Sequence, residues 1–297
     1  MLLFYVAHAF HSLTTSVVSP SYFPFVYGST LHAARVSIAF QVNAQRNQRP
    51  HSWGTYVVGY LIMAWGGSVI SHILLSLPPP QLYSMQPYIN YLTVHFFLTA
   101  FFQQFPSALN PRILDTLLFP LDAALRVNSI ASTVAMLSPI SAFSASINPL
   151  LAGSPLTHCI LGAVASSGGG QTASMLNVWS DTWSLSPPAF LRGTPVPGLK
   201  GWFVGSLDTL DVWGGALIAV IYDVLTGHPA FLGSEGLHTL LDFTDLETSK
   251  FFSPLSAKAA CCIILSFLFG IRIFWVHHWS IVPQTVVLVK KKKSKVQ

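Results

Sequence analysis

The sequence contains little charge: Asp, Glu, Lys and Arg make up only 8% of its 297 residues, whereas hydrophobic residues make up 52%. This leaves too little polar surface to cover a soluble globule of 32.4 kDa. Cysteine is also scarce, and Cys159, Cys261 and Cys262 lie in apolar segments without a metal-ligand spacing, which argues against a disulfide framework. There is no Gly-rich phosphate loop, His-Glu-x-x-His motif or nucleophile elbow, so we do not expect an enzyme.

Apolar stretches recur along the chain, and each is about 20 residues long, enough to cross a ~30 Å hydrocarbon core as a helix. They predict an all-α, polytopic membrane protein. The apolar segment 1–18 lacks a basic start, so we expect a short interfacial helix rather than a signal peptide. The seven predicted transmembrane helices cover residues 23–42, 53–77, 87–108, 113–138, 156–179, 201–225 and 257–282.

Basic residues occupy alternate connections between these predicted helices. The connections 77–86 and 140–155 contain no Lys or Arg, and only the last outer loop, with Lys250 and Lys258, breaks the pattern. The positive-inside rule therefore predicts a luminal N-terminus and a cytosolic C-terminus. The cytosolic basic residues are Arg46, Arg49, Arg112, Arg192, Lys200 and the C-terminal lysines.

The C-terminal tail accounts for the formal charge of +5, because five lysines lie within residues 290–295. We therefore expect contact with anionic membrane lipids and no nucleic-acid partner. Lys293 and Lys295 occupy the fifth and third positions from the end, an arrangement that resembles the K-x-K-x-x retrieval signal of the endoplasmic reticulum. The alternative is a generic basic anchor.

Glycine clusters fall at comparable places in the second and fifth predicted helices. Consecutive glycines each weaken a helix by about 1 kcal/mol relative to alanine, so a helix that keeps them uses the bend or the close approach they allow. Interrupted helices in two repeats indicate a substrate path near the bilayer midplane, whereas the alternative is a packing face of small residues. The candidate pore and hinge residues are Gly66, Gly67, Ser68, Gly168, Gly169 and Gly170.

The preceding segments also correspond. Phe23-Pro24 leads to Arg35, and Phe119-Pro120 leads to Arg126. We therefore predict two three-helix repeats plus a C-terminal helix. The predicted parts are a luminal N-terminal segment (1–22), the two repeats (23–110 and 111–228), an acidic luminal loop (229–256), the seventh helix (257–282) and a basic cytosolic tail (283–297).

Four stretches, taken in order, make the chain resemble the trimeric intracellular cation channel family. They are Phe23-Pro24-Phe25, Arg49-Pro50-His51-Ser52-Trp53, Gly162–Gly170, and Ser256–Ala259 with Gly270–Phe274. The resemblance implies a homotrimer with one pore per subunit, bent at the glycines. It also implies an endoplasmic-reticulum channel that passes monovalent cations, chiefly potassium, as counter-ion current for calcium release.

Members of that family carry a Lys-Glu-Val-type motif that holds a phosphoinositide head group at the pore, and this chain lacks it. Arg126, followed by Val127, is the nearest substitute, so we expect Arg126 to contact the pore or a lipid phosphate. The alternatives are an ion pair, for example with Asp122, or contact with the membrane interface. We expect no cofactor, and a bound phospholipid or phosphoinositide is the one candidate for a resident ligand.

Two acidic residues of the sixth predicted helix, Asp208 and Asp211, lie three residues apart and share a face. They are candidates for attracting cations, or else for pairing with Lys200 or Arg272. Two functions other than a channel fit the same sequence. A secondary transporter would also use interrupted helices and intramembrane acids, and a non-conducting scaffold would use the glycines for packing alone.

Overall fold

The computed structural model describes residues 1–46, 52–192, 205–232 and 252–279. These residues are mostly helical, which confirms the helical part of the predicted fold. Seven long helices are α2 (Tyr27–Arg46), α3 (Trp53–Leu74), α4 (Gln86–Gln104), α5 (Pro111–Ala135), α7 (Pro155–Leu176), α8 (Leu210–Thr226) and α10 (Pro254–Phe274). Shorter α-helices include α1 (Leu2–Thr15), α6 (Pro149–Ala152) and α9 (Pro229–Leu232), and a π turn (Trp275–Trp279) continues α10. Short 3-10 helices lie at Pro80–Leu82, Pro106–Ala108 and Ala189–Leu191.

Polar caps explain where several long helices begin. Asn110, Ser154 and Ser253 each accept a backbone N–H of the first turn, and each is followed by a proline at the first helical position. Residues in the left-handed region mark two of the ends: Asn177 (φ 51°) follows α7 and Gly227 (φ 74°) follows α8. Local sequence therefore fixes both ends of α7.

The all-α prediction is wrong at one place near the N-terminus. Val17–Ser19 (β1) pairs antiparallel with Phe23–Val26 (β2), so α2 begins at Tyr27 rather than at residue 23. Pro24 disfavours the helical conformation of Phe23 before it, and the pairing with Val17–Ser19 holds Phe23–Val26 extended. The segment before this hairpin forms α1, whose Phe10 is buried and which packs against α10.

Each predicted transmembrane segment overlaps one of the long helices. The sixth differs most: residues 205–208 form a helical turn, and α8 begins only at Leu210. By length and apolar composition, two of the described helices are able to cross a membrane, Trp53–Leu74 and Pro254–His278. Most of the predicted acidic loop and the whole of the basic tail, including Lys293 and Lys295, lie outside the described residues.

Helix α7 lies at the centre of the packing and contacts α3, α5 and α8. Helix α10 packs against α5, and α4 packs against α2. On α4 the usual arrangement of a surface helix is reversed, since Phe97 is 69% exposed while the polar side chains of Asn90 and His95 are buried. The polar faces of several helices are thus directed inward, where they enclose a cavity.

Candidate functional site

A cavity of about 1040 Å³ lies among the helices, with walls contributed mainly by α2, α3, α5 and α7. Hydroxyl and carboxamide groups line much of it, among them Ser29, Asn90, Asn128, Ser132 and Ser166. Charged side chains line it as well. Such a surface is suited to water and to small hydrophilic solutes.

The predicted glycines contribute to the cavity wall through the crossing of α3 and α7. A Cβ atom on Gly67 would lie 2.7 Å from the carbonyl oxygen of Val164, and one on Gly168 would lie 2.7 Å from Cα of Gly67. A Cβ on Gly169 would overlap the carbonyl oxygen of Met63. These contacts are between backbones, so no larger residue fits without a shift of the helices.

Both helices continue through their glycines without interruption. The structure therefore has the close approach that small residues allow, which was the packing alternative, and not an unwound turn. Their role as hinges of a pore stays a prediction. Of the six candidates, Gly67, Ser68, Gly169 and Gly170 line the cavity, whereas Gly66 packs against Gly169 and Thr172.

Arg126 points into the same cavity and takes part in a network of ion pairs. Its Nη1 lies 3.0 Å from Oδ1 of Asp211, and its Nε lies 3.4 Å from Oδ2 of Asp122. Nη1 also donates to the carbonyl oxygen of Ser166 at 2.5 Å. Among the described residues, Arg126 therefore forms ion pairs, which was the alternative interpretation of its role. Its contact with a lipid phosphate stays a prediction.

The network extends through three further charged residues. Arg272 on α10 pairs with Asp211 at 2.9 Å, and Arg35 on α2 pairs with Asp115 at 3.0 Å. Arg126 and Arg272 both lie over the ring of Phe269, with 5.2 and 4.6 Å between the guanidinium carbon and the ring centroid. Helices α2, α5, α8 and α10 are joined in this way.

The two acidic candidates therefore differ. Asp211 pairs with two arginines, one of which, Arg272, is a partner that the sequence suggested. Asp208 is exposed, lines the cavity and has no ion pair to any residue that the structure describes. Lys258 also lines the cavity, and its Nζ donates to Oδ1 of Asn128 at 3.0 Å.

Sequence reasoning noted Arg35 only as the counterpart of Arg126 in the predicted repeats and named no partner for it, and so missed its pairing with Asp115. Arginines and aspartates in different apolar segments were the available signal, because charges in a membrane helix are expected to find partners. It also missed the close approach of Gly162 on α7 to Gly215 on α8, where a Cβ on Gly162 would lie 2.6 Å from the carbonyl oxygen of Gly215. The repeat of Trp-Gly-Gly at 65–67 and 213–215 was the available signal there.

Comparisons with protein-family models, with curated proteins and with solved structures found no match to this chain. The assignment of a function therefore rests on the chemistry of the cavity and on the distribution of polar and apolar side chains.

Proposed function

We propose that this chain is a polytopic membrane protein whose polar cavity conducts monovalent cations, chiefly potassium. The observation that carries the proposal is the reversed distribution of polarity. A cavity with charged and hydroxyl groups lies inside the bundle, while large apolar side chains such as Phe97, Leu117 and Phe267 are exposed on the outside of α4, α5 and α10. Lipid is the solvent in which such an exterior is stable, and a polar interior then supplies a hydrophilic path.

The proposal includes seven transmembrane helices, α2, α3, α4, α5, α7, α8 and α10, arranged as two three-helix repeats plus the last helix. Charged side chains lower the mean hydropathy of several of these helices, which makes them poor candidates for membrane spans by composition alone. In α5, however, Asp115, Asp122 and Arg126 all have ion-pair partners, which lowers the cost of their place in a membrane.

The assembly and location that we propose follow the resemblance to trimeric intracellular cation channels. The chain would form a homotrimer with one pore per subunit, and Lys293 and Lys295 would retain it in the endoplasmic reticulum, with a luminal N-terminus and a cytosolic C-terminus. There it would supply counter-ion current for calcium release. Native mass spectrometry of the purified protein tests the trimer, and relocation of a Lys293→Ser/Lys295→Ser variant tests the retrieval signal.

A measurement of potassium current through the purified chain in planar bilayers tests the channel itself. Gly170 offers a sharp variant, because it lines the cavity and a Cβ there would meet no atom within 4 Å. Gly170→Leu should therefore fold and project a side chain into the path, which lowers the single-channel conductance several-fold. Gly54 on α3 has equally open surroundings but does not line the cavity, so Gly54→Leu is the matched control.

Discrete cation-selective openings that shrink in Gly170→Leu and persist in Gly54→Leu would support a pore through this cavity. Saturable uptake of a solute without discrete openings would instead favour a secondary transporter. If folded wild-type protein shows neither current nor solute uptake, the result would favour the non-conducting scaffold.

A further inference from the structure

The guanidinium of Arg126 lies among oxygen atoms that come from three helices. Asp122 of α5 and Asp211 of α8 supply carboxylates at 3.4 and 3.0 Å. Ser166 of α7 supplies its carbonyl oxygen at 2.5 Å and its hydroxyl at 3.5 Å. Carboxylate, carbonyl and hydroxyl oxygens are also the groups that bind hard metal cations in channels and binding sites.

The charge of the surrounding network depends on Arg126. Two other arginines pair with the same carboxylates: Arg35 lies 3.7 Å from Asp122, and Arg272 lies 2.9 Å from Asp211. With Asp115 included, three arginines balance three aspartates, and removal of Arg126 leaves one negative charge in excess. A mobile cation would restore the balance.

We propose that Arg126 is a tethered cation that occupies a cation-binding site formed by Asp122, Ser166 and Asp211, and that it thereby restricts passage through the cavity. This inference rests on the proposed function, because the site belongs to the same path. Arg126 reaches the site from α5, on which Asp122 lies four residues earlier. Loss of Arg126 is therefore expected to open the path and to expose a site for a free cation.

The first test compares potassium flux of the full chain in liposomes with that of two variants. Arg126→Ala removes the guanidinium, and Arg126→Gln keeps much of the side chain but not its charge. Both should raise the flux several-fold, and Arg126→Lys, which keeps the charge, should raise it much less. Added methylguanidinium at about 10 mM should block the Arg126→Ala variant and leave the wild type unaffected, because it refills the vacated site.

A matched control is Arg192→Ala. Arg192 also donates to a carbonyl oxygen of α7, that of Ser174, but it does not line the cavity. The flux of this variant and its response to methylguanidinium should equal those of the wild type.

The second test does not require conduction. Methylguanidinium should raise the Tm of purified Arg126→Ala by about 3 °C, whereas the same concentration of tetramethylammonium should not. If the wild type and all variants fail to conduct, the proposed channel function is wrong. Selective stabilisation of Arg126→Ala by methylguanidinium would then still support the cation site. The inference is overturned if folded Arg126→Gln conducts no better than a conducting wild type, or if methylguanidinium neither blocks nor stabilises Arg126→Ala.

Discussion

Arg35 and Arg126 share one carboxylate, that of Asp122. Nε of Arg35 lies 3.7 Å from Oδ1, and Nε of Arg126 lies 3.4 Å from Oδ2. These are the two arginines that the sequence aligns between the predicted repeats, so one aspartate of the second unit joins equivalent positions of both. Asp122 and Asp211 are therefore the two members of the network whose loss would take a shared carboxylate from two guanidinium groups.

We expect Asp122→Asn to lower the free energy of unfolding by about 3 kcal/mol, because two guanidinium groups lose a carboxylate whose side chain is only 12% exposed. Asp115 has an exposed fraction of 30% and contacts only one arginine, Arg35, together with His277 at 3.3 Å, so Asp115→Asn should cost about 1 kcal/mol or less. Thermal unfolding in detergent measures both. Equal losses would contradict the bridging role of Asp122.

Gly169 and Gly170 are adjacent, but we predict that substitution by alanine changes the stability of the fold in opposite directions at the two positions. Gly169→Ala should destabilise the fold by about 1–3 kcal/mol, because the added methyl group meets the backbone of Met63. Gly170→Ala should stabilise it by roughly 0.5–1 kcal/mol, because the site is open and alanine is the better helix former. Tm values of the two variants test the pair, and a stable Gly169→Ala would refute the close crossing of α3 and α7.

His158, near the start of α7, and Asp223, near the end of α8, form a buried pair with 2.6 Å between Nδ1 and Oδ2. Nε2 of the same ring faces the carbonyl oxygen of Ala152 at 3.0 Å. His158→Phe preserves much of the volume but leaves both acceptors without a donor, so we expect a loss of about 3–5 kcal/mol.

The control for this variant is His72→Phe. The His72 ring is part-exposed, and within the described residues its hydrogen bond is to the carbonyl oxygen of Ser68 in the same helix. The expected loss is below about 1 kcal/mol. Chemical denaturation of both variants would show whether the His158–Asp223 pair is as strongly coupled as its burial implies.

Asp208 is predicted to concentrate cations at the cavity. Asp208→Asn should reduce potassium conductance about two-fold at about 10 mM salt, and the difference should vanish near about 1 M, where charges are screened within a few ångströms. Asp181→Asn removes another exposed carboxylate that does not line the cavity, and it should change nothing. Single-channel recordings over a salt series provide the measurement.

Sequence patterns predicted the positions of the long helices well, because apolar length, proline and polar caps act locally. Asn110-Pro111 and Ser154-Pro155 mark the starts of α5 and α7 within two residues of the predicted segments. The hairpin was missed because its strands are only 3 and 4 residues long and carry no alternation of polarity.

The candidate site was predicted only in part. Arg126 and the glycines were identified because each is unusual in an apolar helix. Asp122 was named as a partner for Arg126, and Arg272 as one for Asp211. The pairing of Arg35 with Asp115 was not predicted, because the two are separated by 80 residues and only the packing of α2 against α5 brings them together. Packing of α8 against α5 and α10 decides that Asp211 pairs with Arg126 and Arg272, while Asp208 remains exposed to the cavity.

The contact of Gly67 with Gly168 joins the two halves of the chain at their middle. A rocking motion, in which one half tilts away from the other, would separate two backbones that are in direct contact along α3 and α7 and would forfeit their dispersion energy. Separation of α3 from α7 is therefore expected to cost more free energy than movement of the side chains that line the cavity. We expect the cavity to open by movement of side chains, above all Arg126, rather than by separation of these two helices.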